Sequence, residues 1–273
     1  MTRIYCITDP ESRVAVVIEK RPRQWWRLGR WDLVSGLYEE GAWFCGLLYP
    51  QRCDLSPGGL WFSYFAFKPN SDWPAGESYN AISRMPWLQA LAAWREIGTY
   101  SRGYHFVDDC KVWDIGDVTV GDINPCRESF GMRRTKPEQF AVERRRGWKE
   151  SESTPPRRSS DVWNDLRKVT MEKPSPVDER AILSVNGRFQ AERGLPDVWP
   201  PDLSAYVHKR KGRATILTGV QWADWTFEGH LAQATEDGRL LIWDTRRKRA
   251  ISETSLGFDQ PKPKQAPDWA GQW

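Results

Sequence analysis

Two distant segments of this chain share one six-residue pattern, and this repetition limits the fold more than any other feature. The pattern is Asp, any residue, Ser or Thr, two further residues and Gly, and it begins at Asp54 and again at Asp224. Asp and Ser or Thr side chains close turns on their own backbone, and Gly permits the positive φ that lets a chain reverse. A strand-like run follows each Gly, so the pattern predicts a repeated strand-turn-strand unit.

The dipeptide Trp-Asp recurs at Trp31, Trp113 and Trp243. The intervals are close to two and three units of about 42 residues, a period that lies in the range of propeller blades. Trp73 and Trp199 fall near two of the intermediate positions. Because the chain holds 17 tryptophans, some of this spacing is expected by chance, and the Asp-initiated pattern is the stronger evidence.

Short β-branched or aromatic runs, bounded by turn residues, predict strands along the whole chain. They lie at residues 14–18, 42–48, 60–67, 118–123, 181–185, 214–217 and 240–243. Asn-Gly at 186–187 and Asp-Gly at 237–238 are dipeptides that type I′ turns prefer, and Glu-Gly at 40–41 stands similarly between two apolar runs. The predicted fold class is all-β, with hairpin turns at these three places.

Two stretches favour a helix instead. Residues 86–97 begin with Pro86, which a first helical turn tolerates, and space their apolar side chains helically; a long buried strand is the alternative. Residues 160–170 begin with Ser160, a suitable N-cap, and carry apolar side chains on one helical face. We therefore expect one helical insertion in the charged middle of the chain.

The segments at residues 54–66 and 224–244 resemble blades of WD-repeat and related β-propeller proteins. The resemblance implies a ring of four-stranded antiparallel blades, five or six at this length, that serves as a binding platform. It also suggests closure of the ring by the strand at residues 14–18 pairing into the last blade. The Gly229-His230 pair stands much nearer to Trp243 than in WD repeats, so that family's His-to-Asp network is not implied.

The net charge of +4 arises entirely within residues 127–180. This stretch holds arginine runs at 144–146 and 157–158 and a Ser- and Pro-rich segment, which is typical of a surface loop or a boundary. The predicted organisation is one β-propeller-like domain over residues 1–258 with a charged insertion at about 127–180. A Pro-rich, extended tail follows at 259–273.

Signatures of common enzymes are absent, since neither a nucleophile elbow, a Walker-type loop, H-E-x-x-H nor G-x-G-x-x-G occurs. The five cysteines are odd in number and widely spaced, so no disulfide framework is expected, and neither a metal nor a cofactor is predicted. His105 and Cys110 stand close enough to suggest a nucleophilic pair, but a half-buried strand position is the favoured interpretation of His105.

Three basic clusters, at residues 144–146, 208–213 and 246–249, each stand near an aromatic side chain. This combination neutralises phosphates and stacks bases, although a solvated loop is the favoured interpretation of each cluster. In the tail, Trp269 and Trp273 are expected to dock on this chain or on a partner. The candidate partner-binding residues are Arg144, Arg145, Arg146, Trp148, Arg157, Arg158, Trp269 and Trp273.

These features favour a non-catalytic protein-interaction module that acts as a scaffold, sensor or subunit of a larger assembly. Without a secretory signal or a membrane span in the sequence, a cytoplasmic location is expected, and no membrane partner. The alternatives are a nucleic-acid-binding protein that uses the basic middle segment, and an enzyme with its site in the propeller channel around His105 or Cys110.

Overall fold

The computed structural model describes residues 3–72, 76–100, 103–108, 131–134, 141–152, 166–190, 202–257 and 263–272. Arg157, Arg158, Trp273, Cys110 and the strand predicted at 118–123 lie outside the described residues.

The described residues form five antiparallel sheets that follow one another along the chain. Sheet 1 contains β1 (Arg3–Thr8), β2 (Val14–Lys20), β3 (Trp25–Asp32) and β4 (Tyr38–Cys45). Sheet 2 contains β5 (Leu47–Leu48), β6 (Asp54–Leu55), β7 (Trp61–Phe67), β8 (Ser78–Arg84) and β9 (Ala90–Arg95). Sheet 3 is the pair β10 (Tyr104–Asp108) and β11 (Gly131–Arg134).

A short helix, α1 (Ala141–Arg145), precedes the last two sheets. Sheet 4 contains β12 (Lys149–Glu150), β13 (Leu166–Ser175), β14 (Asp178–Gln190), β15 (Asp202–Arg210) and β16 (Arg213–Ile216). Sheet 5 contains β17 (Val220–Trp225), β18 (Leu231–Thr235), β19 (Arg239–Asp244) and β20 (Arg249–Ser255). Consecutive strands pair within each sheet, except that β5 and β6 both pair with β7. The prediction of an all-β, propeller-like series of antiparallel sheets is therefore confirmed.

The helix predicted at residues 86–97 is wrong, because β9 occupies the middle half of this stretch and pairs with β8. Its apolar run faces protein on both sides: Trp94 packs against Tyr104 of sheet 3, with ring centroids 5.7 Å apart. A strand buried on both faces has no strict alternation of apolar and polar residues, so its pattern resembles a helical stripe.

The helix predicted at residues 160–170 is also wrong where the structure describes it, since residues 166–170 belong to β13. The helix found in the charged middle is α1, which begins at Ala141. Of the three predicted hairpin turns, the Asp-Gly at 237–238 joins β18 to β19 as expected. The dipeptides at 186–187 and 40–41 lie inside β14 and β4, the former at an irregularity of the β14 and β15 pairing.

Sheet 1 packs directly against sheet 5, which brings the two ends of the series together. Buried side chains of both sheets belong to one hydrophobic cluster. The Ile4 amide donates a hydrogen bond to Gln221 Oε1 at 2.7 Å, and Arg27 Nη2 donates to the Leu256 carbonyl at 2.6 Å. The predicted closure by residues 14–18 is wrong: β2 pairs with β1 and β3 of its own sheet, so closure rests on packing between complete sheets.

Candidate functional site

The two Asp-initiated turns share a hydrogen-bond pattern, although the first is one residue longer. In each, the Gly amide donates to the carbonyl of the Ser or Thr at 2.9 Å, and the Gly has a positive φ, 70° at Gly59 and 75° at Gly229. The Ser56 hydroxyl accepts a backbone amide from five residues further on at 3.0 Å, and the Thr226 hydroxyl accepts one from four residues further on at 3.1 Å. The repeated sequence pattern therefore encodes a repeated turn.

The aspartates that begin these turns are buried, and each is paired with a cation from residues 127–180. Arg146 Nη2 lies 2.5 Å from Asp54 Oδ1, and Lys173 Nζ lies 2.7 Å from Asp224 Oδ1. Trp148 Nε1 also donates to Asp224 Oδ2 at 3.4 Å. The basic segment after α1 thus supplies groups that neutralise or solvate both repeated carboxylates.

The α1 segment fills the centre between the sheets. Glu143 Oε1 accepts the Tyr5 hydroxyl at 2.7 Å and the Gln51 side-chain amide at 3.4 Å. Burial raises the pKa of the Glu143 carboxyl, and burial together with Glu143 raises the pKa of Tyr5 well above its ordinary value. The void that remains beside these side chains measures about 10 Å³, which is the space of a single water molecule.

The structure places the candidate residues of the arginine run on different sides of this segment. Arg144 is partly exposed and lies 3.0 Å from Glu150, whereas Arg146 and Trp148 are 8% and 4% exposed. Arg145 Nη2 donates to the Cys53 carbonyl at 3.4 Å, and burial lowers the pKa of its guanidinium. All four of these side chains are bonded within the chain, and partner binding by them stays a prediction.

The described part of the tail lies against sheets 1 and 2. Ala270 is fully buried in a cluster with Ala42 and Trp87. Trp269 is 38% exposed and stacks on Arg84, whose guanidinium carbon is 5.3 Å from the ring centroid. The tail therefore docks on this chain through Ala270, while Trp269 keeps part of its ring accessible.

The largest described hollow lies between sheets 4 and 5 and has a volume of about 1020 Å³. We call it the basic groove. Its apolar floor contains Leu217, Val220, Leu231, Leu241 and Trp243, and its cationic rim contains Arg210, Lys211, Arg213, Arg246 and Lys248. No carboxylate is among the described side chains that line it.

Four of the five rim cations have no carboxylate partner among the described residues. Arg210 is paired with Asp178 at 3.2 Å, but Lys211, Arg213, Arg246 and Lys248 are exposed and form no described ion pair. They occupy hairpin turns or strand ends, where long side chains extend into solvent. The groove is therefore lined by one sign of charge.

His208 forms part of the groove wall. Its ring stands edge-on to Trp225, with centroids 5.6 Å apart. Burial and the neighbouring Arg210 both lower the pKa of His208, so the imidazole is neutral at pH 7. The charge of the groove at neutral pH therefore comes from Lys and Arg.

Sequence reasoning found both basic clusters that form the rim, at residues 208–213 and 246–249, but weighed each alone. The structure brings them together because the hairpin turn after β15 and the turn after β19 border the same gap between sheets. Each cluster spans a turn between strands, and this position is the feature of the sequence that could have indicated an exposed basic surface. Their convergence depends on how sheet 5 packs on sheet 4.

No protein-family model and no curated protein sequence matches this chain. Among solved structures, the chain is similar to TolB from Acinetobacter baumannii at 12% identity, covering 93% of this chain with a TM-score of 0.22. It spans only 44% of that protein. It is also similar to the β-propeller domain of Cps50 (Swd1) from Myceliophteria thermophila at 9% identity, covering 94% of this chain and 90% of that chain with a TM-score of 0.31.

The propeller-like architecture is evident from the antiparallel sheets of this chain itself. No helix in the described ranges has the length and hydrophobicity needed to cross a membrane.

Proposed function

We propose that this chain is a non-catalytic protein-interaction module and that the basic groove is the surface on which it binds an acidic partner. The observation that carries the proposal is a set of four cations around an apolar floor, none of which has a carboxylate partner among the described residues: Lys211, Arg213, Arg246 and Lys248. A surface of one charge sign speeds association with a partner of the opposite sign and disfavours partners of its own sign.

The apolar floor adds a hydrophobic contribution to binding that the rim charges alone do not provide. Trp243 and Leu241 are only partly buried, although Leu231 beside them is 1% exposed. A ligand that covers such side chains gains about 25 cal/mol for each Å² of apolar surface removed from water. The proposed ligand therefore carries apolar side chains among its carboxylates, and the combination favours a protein segment over a purely ionic polymer.

A binding measurement with a designed peptide tests the proposal. The probe is a fluorescein-labelled peptide of about twelve residues that alternates Glu and Val, which separates acids and apolar groups onto two faces when extended. Fluorescence anisotropy compares it with the matching Lys-Val peptide and with single-stranded oligo-dT of similar length. We expect the full chain to bind the Glu-Val peptide, with affinity that decreases as salt is raised.

The matched variants locate the site. Arg213→Glu combined with Arg246→Glu reverses two rim charges, and we expect at least about tenfold weaker binding, since each reversal replaces attraction with repulsion. The control, Arg23→Glu combined with Lys68→Glu, makes the same charge change at exposed residues of the first two sheets and should bind like the native chain. Equal binding by both variants would contradict the groove assignment.

Two further results would overturn the proposal as a whole. One is the absence of any binding to the Glu-Val peptide. The other is tight binding of oligo-dT that the groove variant abolishes, which would replace a protein partner with a nucleic acid.

A further inference from the structure

The strand β16 forms one end of sheet 4, after β12, β13, β14 and β15. It pairs with β15 on one side, and no described strand pairs with its other side. The side chains of all four of its residues are exposed. The outer edge of β16 is therefore an open strand edge in the described structure.

The register shows which backbone groups point to this open edge. Arg213 is opposite Arg210 across a two-residue turn, and the Leu217 amide donates to the Tyr206 carbonyl at 2.9 Å. In an antiparallel ladder, hydrogen-bonded and non-hydrogen-bonded pairs alternate, so residues 213, 215 and 217 bond to β15. The amide and carbonyl groups of Ala214 and Ile216 consequently point outward, and neither residue has a described backbone partner across this edge.

This edge borders the basic groove, because Arg213, Thr215 and Ile216 are among the residues that line it. Natural edge strands are often protected by Pro, by bulges or by charged side chains. β16 has neither Pro nor a described bulge, and its protection is cationic, from Arg213 and from Lys211 in the preceding turn.

The positive charge determines which kind of strand can pair with the open edge of β16. A second copy of β16 would bring like charges together, which destabilises strand pairing. An acidic strand would instead place its carboxylates beside the rim cations, while its alternate side chains face the apolar floor.

We infer that the acidic partner binds as an added β-strand, paired with the outward amide and carbonyl groups of Ala214 and Ile216. This inference rests on the proposed function of the basic groove and specifies the conformation of its ligand. Backbone hydrogen bonds then contribute affinity independent of side-chain sequence, and the groove contributes the preference for alternating acidic and apolar residues.

A proline substitution tests the pairing from the protein side. Ala214→Pro removes an amide that points away from β15, so the β15 and β16 ladder keeps its bonds. We expect binding of the Glu-Val peptide to weaken by about tenfold, since one hydrogen bond is lost and the pyrrolidine ring blocks the edge. Ala214→Val retains the amide and favours the extended conformation, so it should bind within about twofold of the native chain.

The same pairing is tested from the peptide side, which avoids any effect on folding. Single N-methylation of successive peptide amides removes one donor at a time. We expect weakened binding at every second central position, because only alternate amides of an added strand face β16. A thermal unfolding scan of the two protein variants shows whether the proline acts on binding or on stability.

The outcomes separate the two proposals. If the native chain binds the Glu-Val peptide but Ala214→Pro and the N-methylated peptides bind equally well, strand addition is wrong and the groove assignment stands. If Ala214→Pro lowers stability, the N-methyl pattern decides, and a uniform pattern overturns strand addition. If the native chain binds no acidic peptide, both proposals fail.

Discussion

The cations at the centre of the molecule and those around the basic groove have opposite environments. Arg146 is buried against Asp54 and also donates to the carbonyls of Thr8 and Leu55. Arg213 and Arg246 are exposed and have no described carboxylate partner. A basic cluster is therefore a structural element where fixed carboxylates and carbonyls contact it, and a candidate binding surface where they do not.

The physical basis of this difference is desolvation. A guanidinium removed from water loses hydration free energy that only a well-placed partner compensates, so breaking a buried pair is costly. An exposed cation keeps its hydration, and its removal changes stability little. Four predictions follow from this contrast, in order of decreasing expected effect.

Replacing the central cation should destabilise the fold strongly. Arg146→Ala leaves Asp54 buried without its closest partner, and we expect a loss of about 3–5 kcal/mol in the free energy of unfolding. Arg213→Ala in the groove should change it by no more than about 0.5 kcal/mol. Urea-induced unfolding followed by tryptophan fluorescence measures both. Similar losses in the two variants would remove the distinction between the clusters.

The second repeated turn should show a smaller effect of the same kind. Asp224→Asn removes the charge that faces Lys173 but keeps an acceptor for Trp148, and we expect a loss of about 1–3 kcal/mol. The matched control is Asp237→Asn, an exposed carboxylate in the turn between β18 and β19. We expect only Asp224→Asn to lower the urea midpoint of unfolding. A larger effect at Asp237 would contradict it.

The central carboxyl should make stability depend on pH. Because burial raises the pKa of Glu143 in the native state, the native chain binds more protons than the unfolded chain above the unfolded pKa of about 4.3. The contribution of Glu143 to stability therefore falls as the pH rises from the unfolded pKa through the native pKa. Glu143→Gln cannot ionise but keeps an acceptor for Tyr5.

The Glu143→Gln variant should gain stability relative to the native chain as the pH rises, and the difference should level off below about pH 4. Unfolding free energies measured across this range test the slope. A difference between the two proteins that does not change with pH would show that Glu143 has an ordinary pKa.

In the tail, the cation Arg84 contacts an aromatic ring, which is neither a buried carboxylate nor water. Trp269→Ala removes this partly exposed stacking contact, and we expect a loss of about 0.5–1 kcal/mol. Trp25→Ala provides a comparison at another partly buried tryptophan, which packs edge-on against Trp43 at 6.2 Å. No change in the thermal midpoint of Trp269→Ala would mean that the tail docks through Ala270 alone.

Only part of the strand content could be predicted from the sequence. The runs at residues 14–18, 60–67, 181–185 and 240–243 lie within or across strands of the structure, because β-branched and aromatic side chains fit a pleated, packed surface. The failures have a common cause. At β9 and at the Asn-Gly of β14, contacts with neighbouring strands and sheets override a local preference.

The groove was only partly predictable. Both clusters that form its rim were recognised, but the candidate residues were drawn from residues 144–158 and the tail. Of these, Arg145 and Arg146 bond within the chain. The sequence contains no local signal for the positions of Asp54 and Cys53 relative to that run, because 92 residues separate Arg146 from Asp54.

The sequence by itself determined the all-β class and the repeated turn. Both follow from interactions between residues a few positions apart, such as the Gly59 amide with the Ser56 carbonyl and the same contact between Gly229 and Thr226. Only the tertiary structure decided which cations are buried and which surround the groove. The burial of each cation depends on the packing of one sheet against the next, because this packing determines whether a carboxylate or water lies opposite each guanidinium.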